Sequence, residues 1–193
     1  MITLNEATHE YTVDGKVLPS VSEIMRPLSE AYYRDVLKFN DLSEASDYGS
    51  GVHKAVQQYI NFGIISDKYI KEVMAFIGWL DEEKLVVIYN EWMLTNGEYC
   101  GTIDLLMRHI PTGNIYLVDM KATTVIAEPL LEVQLCGYEG LTSYNGVRID
   151  GTYVLHLKKN GNYAYRPVAI NRWKWKNLYE KHKNESISNR AER

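Results

Sequence analysis

The spacing of hydrophobic and polar positions changes period several times along this chain, and each change marks an element. "HEYTVDGKVLPS" (9–20) reads as two β-rich runs around Asp14-Gly15, a strong hairpin signal. Ser20 stands three residues ahead of Glu23, the spacing of a capping box, and predicts a short helix. Residues 28–40 are mixed and aromatic, with Tyr32, Tyr33 and Phe39, and are expected to be helical. "GSGVHKAVQQYINFG" (49–63) puts Val52, Val56, Tyr59 and Ile60 on one helical stripe, with Gly63 as its stop. Residues 67–84 follow as a second amphipathic helix, apolar at Ile70, Val73, Met74, Ile77 and Leu80.

The period then falls to two. "LVVIYNEWML", "YCGTIDLLMRHI" and "IYLVDMKAT" read as three strands joined at Asn96-Gly97 and "PTGN", and a meander is the simplest connection. "EPLLEVQLCGYEGLTSY" is helical, with Pro129 suited to a first turn. "TYVLHLKK" and "YAYRPVAI" around "NGN" form another hairpin, and the stretch from Asn171 reads as a final helix fraying into a polar tail at about 184–193. No repeat or low-complexity linker interrupts the pattern, so one α/β domain over 1–193 is expected.

Composition narrows the function. With 193 residues the chain can bury one sizeable core but hardly two. A net charge of −4 gives no global basic field, so any polyanion site must be local or helped by metal. Two cysteines, Cys100 and Cys136, are too few for a disulfide framework or a four-cysteine cluster. The first ten residues are polar and acidic, and no run approaches the ~18 apolar residues of a membrane span. A soluble, cytoplasmic protein with no membrane partner is expected.

Against this background five polar features stand out. His53 lies on a helix behind two glycines, whose lack of side chains would let the helix approach the sheet. Glu91 interrupts an apolar strand, and Asp104 sits inside the next. Asp119 and Lys121 leave one face of the third strand, with Val118 and Met120 on the other. Gln134 and Tyr138, four apart on a helix, point the same way. Each taken singly has an ordinary explanation: a core histidine, an edge carboxylate, a solvated ion pair. Together they do not. If "PTGN" centres its hairpin, Asp104 and Asp119 fall almost opposite each other, which is destabilising without a cation between them. Two carboxylates and an imidazole suit a hard divalent ion, Mg²⁺ or Mn²⁺. Lys121 would reach the same spot, completing a hydrolytic metal site.

The order "GVH" (51–53), Glu91, "GTID" (101–104), "DMK" (119–121) and "QLCGY" (134–138) resembles the PD-(D/E)XK nuclease superfamily, in its RecB-type and CRISPR-adaptation-type exonuclease branch, which includes phage exonucleases. The opening "EYTVDGKVLPSVSEIM" is similar to the start of phage members, and the resemblance spans about residues 10–165. It implies a restriction-endonuclease-like central mixed sheet flanked by helices. It also implies that His53, Asp104 and Asp119 ligate Mg²⁺ or Mn²⁺ together with the backbone carbonyl of Met120, and that Lys121 serves the attacking water and the transition state. Gln134 and Tyr138 would support the DNA backbone. Some branches place a ligand or base at the position of Glu91 and others do not. Members with an iron–sulfur cluster need four cysteines, so none is expected here. There is no helicase segment, and any recombination or helicase partner would be a separate protein in a bacterial or phage-infected cell.

The expected activity is a metal-dependent DNA exonuclease working on single-stranded or end-opened DNA, in bacterial or phage recombination and repair. Tyr32, Tyr33 and Phe39 are candidates for stacking against unpaired bases, or equally for helix packing. The competing expectations are a structure-specific endonuclease on the same fold and a non-catalytic DNA- or protein-binding module.

Overall fold

The computed structural model describes residues 1–5, 8–36, 42–123 and 125–191. The hairpin expected at Asp14-Gly15 is present: β2 (Glu10–Val13) pairs antiparallel with β3 (Lys16–Leu18), and both turn residues have positive φ. It is joined by a strand the periodicity did not predict, β1 (Ile2–Asn5), which pairs antiparallel with β2 to give a three-stranded sheet. Next come α1 (Val21–Ile24) and α2 (Arg26–Val36), then the long α3 (Leu42–Phe62). Ser20 caps α1 as its spacing predicts, its hydroxyl accepting from Glu23 N at 3.0 Å. Phe39 lies outside the described residues. A single 3-10 turn (Asp67–Tyr69) leads into α4 (Ile70–Glu82).

The main sheet has five strands in the order β4 (Leu85–Thr95), β5 (Cys100–His109), β6 (Ile115–Lys121), β7 (Gly151–Leu157), β8 (Tyr163–Pro167). The first three form the expected meander. Helix α5 (Glu128–Tyr144) then carries the chain across one face, so β7 runs parallel to β6 and the sheet is mixed. The last helix, α6 (Arg172–Ala191), does not fray at 184 as its polar composition suggested. Its surface carries Lys181 and Glu185 at i, i+4, and Tyr179 and Lys183 both bind Glu98.

Two hydrophobic cores lie on opposite faces of this sheet. One joins it to α1, α5 and α6 through residues such as Val21, Leu131, Leu141 and Trp175. The other joins it to α3 and α4 through Val52, Val56, Phe76 and Trp79. Full burial of one side chain such as Phe76 contributes roughly 1.5–3 kcal/mol. Strand β6 serves both: Leu117 packs into the first core, Val118 and Met120 into the second. The alternation read from "YLVDMK" therefore holds, and Asp119 and Lys121 leave the sheet on the Leu117 side. Among the described residues no helix is long and apolar enough to cross a membrane.

Candidate active site

The polar residues singled out in the sequence meet where β5 and β6 part. Leu105 stands opposite Val118, the register that a turn centred between Pro111 and Thr112 dictates. The ladder ends at that pair. One step further, where Asp104 and Asp119 would face each other, the Asp104 side chain takes over from the backbone: its Oδ2 accepts from Met120 N at 2.7 Å.

Glu91 comes to Asp104 from the other side. Asn90 lies opposite Leu105 and Trp92 opposite Ile103, so Glu91 stands across from Asp104 on the neighbouring strand. Its φ of 45° is left-handed, a conformation that costs a non-glycine residue on the order of 1–3 kcal/mol and is concentrated at functional sites. The sheet's alternation changes phase here too. Ile103 packs into the α5 core, whereas Leu105 and Met107 pack into the α4 core. Nothing in the sequence signals this kink.

His53 closes the group from α3. Its Nε2 donates to the Met120 carbonyl at 2.8 Å, leaving Nδ1 facing Glu91 Oε1 at 3.7 Å and Asp104 Oδ1 at 3.8 Å. These separations are too long for hydrogen bonds and leave a gap that a cation would bridge. One ligand atom from each of His53, Glu91 and Asp104 lies within 4.8 Å of the others, the only such group among the described residues. Two carboxylates, an imidazole and a nearby carbonyl fit a hard divalent ion, as the donor types suggested.

Asp119 is placed differently. It is 3% exposed, and its Oδ2 sits 2.7 Å from Lys121 Nζ, off hydrogen-bond alignment, so charge attraction dominates the contact. That pairing answers why a strand accepts both charges. Burial pushes the Asp119 carboxyl above its ordinary range, against the pull of Lys121. Burial also works against the Lys121 charge, but Asp119 and Asp104 together outweigh it and hold the ammonium protonated. Asp119 thus stands beside the three-residue group, engaged with Lys121, rather than within it.

The motif residues on α5 also converge. Gln134 Nε2 donates to the Tyr138 hydroxyl at 3.2 Å, and the buried Tyr138 ring lies against Gly101, where a Cβ would come within 2.8 Å of it. The glycine of "GTID" is therefore required by Tyr138. The glycines before His53 do not act as expected. A Cβ on Gly51 would meet the Tyr69 hydroxyl at 2.0 Å, and Gly49 has open space, so neither brings the helix onto the sheet.

The two tyrosines of α2 separate by role. Tyr32 packs against the α5 core, while Tyr33 is 41% exposed and lines a cleft of about 330 Å³ with Lys121, Gln134 and Ser29. A larger cleft of about 670 Å³ opens on the other side of the site, lined by His53, Glu91, His9, Lys54 and Gln57. Sequence reasoning missed these last three. Gln57, four residues beyond His53 and so on its face of α3, carried a usable signal.

Burial alone would lower the His53 pKa, but Asp104 and Glu91 raise it to about 9. Its ion pairs therefore stabilise the metal-free protein fully below about 6.5, and that contribution is lost as pH rises through about 9. The amount is about 3 kcal/mol at most, from ~1.4 kcal/mol per pH unit. In EDTA, His53→Ala is expected to melt roughly 5–10 °C below wild type at pH 6, with the gap closing by pH 10. A gap of equal size at both pH values would mean that His53 matters only for packing.

No family model and no curated protein matches this chain. Among solved structures, an alkaline exonuclease from Laribacter hongkongensis superposes over 90% of this chain and 93% of its own, with a TM-score of 0.51 and 8% identity. The structure of SSO0001 matches 85% of each chain at a TM-score of 0.39 and 11% identity. What the chain shares with the alkaline exonuclease is its fold, a central mixed sheet flanked by helices.

Proposed function

We propose that this protein is a divalent-metal-dependent deoxyribonuclease that hydrolyses phosphodiester bonds from a free end of single-stranded or opened DNA. One juxtaposition carries the reading: His53, Glu91 and Asp104 gathered around an ion-sized gap, with the Asp119–Lys121 pair immediately beside it. The exonuclease fold of the structural neighbour supports it.

In this reading His53, Glu91 and Asp104 would hold Mg²⁺ or Mn²⁺ with the Met120 carbonyl, and Asp119 would stand beside them, engaged with Lys121. A bound divalent ion there supplies a Lewis acid for a phosphate oxygen and a water of lowered pKa. Lys121 provides a fixed positive charge to the oxygens on which charge builds as the P–O bond breaks. Asp119 aims and sustains that charge. Gln134 and Tyr138 support the strand on the Lys121 side, where Tyr33 offers an exposed ring for an unpaired base and Tyr32 holds α2 to the core. The setting would be bacterial or phage DNA recombination or repair, beside a separate recombination or helicase protein.

The test uses labelled linear and covalently closed single-stranded DNA of identical sequence, with Mg²⁺, with Mn²⁺ and in excess EDTA. Progressive loss of the linear form alone, abolished by EDTA, is expected. Equal rates on circles would convert the reading to an endonuclease, and cleavage persisting in EDTA would sink the metal mechanism.

A further inference from the structure

The net charge of −4 offers no broad basic surface, yet four lysines from two distant parts of the chain converge on one side of the site. The β7–β8 turn carries Lys158 and Lys159, and the start of α4 with its 3-10 turn carries Lys68 and Lys71. Two aromatic rings tie these groups together. Lys159 Nζ lies 4.3 Å from the centre of the Tyr48 ring, and Lys68 Nζ lies 5.0 Å from that of Tyr69. The two rings meet edge to face at 5.8 Å. Lys71 packs its aliphatic stem over Gly161, where a Cβ would stand 3.6 Å from Lys71 Cβ.

The platform is built rather than incidental. The Tyr48 hydroxyl donates to Glu72, which is buried beneath it and fixes the ring in place. The turn is fixed by backbone bonds, Lys158 N to Asn162 O at 2.9 Å and Gly161 N to Lys158 O at 2.9 Å. The lysines also border the site. Lys158 and Lys159 line a cleft of about 350 Å³ with Thr123 and His156, and Thr123 lines the cleft holding Lys121 and Tyr33 as well. His156 Nε2 bonds the Thr123 carbonyl at 2.7 Å, fixing the ridge between the two clefts.

We propose that Lys68, Lys71, Lys158 and Lys159 form a strip that binds the phosphodiester backbone of a single DNA strand and guides it over Thr123 to Lys121. This rests on the nuclease reading for its orientation, but its binding step is measured separately from cleavage. Lysines mark the backbone because they offer point charges with no preference among bases. The Tyr33 cleft next to the strip suits the unpaired bases of a single strand.

The experiment is anisotropy titration of a labelled 20-nucleotide oligo(dT) in EDTA, repeated across salt concentrations. Each single-strand phosphate contact contributes about 0.7 to the log–log salt slope, so four lysines predict a slope of about −3. Lys158→Ala with Lys159→Ala should reduce its magnitude by about 1.4, and so should Lys68→Ala with Lys71→Ala. The second pair leaves the Tyr48 contact intact, which separates charge from local packing. Both double variants should keep wild-type kcat on a dinucleotide too short to reach the strip. Unchanged slopes in both variants, or equal binding of a blunt duplex, would overturn the proposal. Salt-dependent binding without cleavage would uphold the strip while overturning the nuclease reading.

Discussion

Replacing Asp104 by alanine is expected to abolish cleavage and to take divalent-metal binding with it. Its two oxygens do different work. Oδ1 faces His53 Nδ1 across the gap, while Oδ2 accepts from the Met120 amide where the β5–β6 ladder ends. Alanine removes one of the two carboxylates of the group and strands the Met120 N–H, which costs roughly 1–3 kcal/mol. Metal affinity should fall by more than the roughly 10–100-fold that losing a mere supporting partner costs. Asp104→Asn is the sharper variant, because its amide oxygen can still accept from Met120 N while the charge is gone. Calorimetric Mn²⁺ titration alongside melting in EDTA should show Asp104→Asn folded but unable to hold the ion. Wild-type affinity in Asp104→Asn would remove Asp104 from the ligand set.

Lys121→Ala should behave in the opposite way, retaining metal and losing chemistry. The ammonium is held on Asp119, beside but outside the group that fits the ion. Loss of one preorganised electrostatic donor slows the chemical step by about 10²–10³-fold. The variant also leaves Asp119 buried without its partner, and an unpaired buried charge costs on the order of 3–5 kcal/mol. Asp119 can evade much of that by taking a proton, since burial already pushes its carboxyl upward. A modest fall in melting temperature that shrinks at lower pH is therefore expected, with single-turnover rates down by the full factor. Equal loss of metal affinity in Lys121→Ala and Asp104→Asn would mean that Lys121 acts only by shaping the ligand group.

The same residues show how far a sequence can be read. The two-residue period of β6, the caps and turn glycines, and the centre of "PTGN" are local properties of the backbone, and they determined the strand faces and the β5–β6 register. The i, i+4 spacing likewise put Gln134 against Tyr138. Only the tertiary structure decided the rest. β1 pairs solely because β2 presents it an edge, and its own polar alternation is too short to announce a strand. The left-handed turn at Glu91 is imposed by a neighbouring strand on a residue with no intrinsic preference for it. The division of labour between Asp119, which takes Lys121, and Glu91, which joins His53 and Asp104, depends on separations between 2.7 and 4.8 Å across four elements. The lysine strip depends on contacts between segments far apart in sequence, Tyr48 with Lys159 and Lys71 with Gly161, beyond the reach of net charge. Periodicity fixes which face a side chain leaves from, because φ and ψ are local. Which charges then meet is set by how the faces pack, because pairing energies depend on distance and burial.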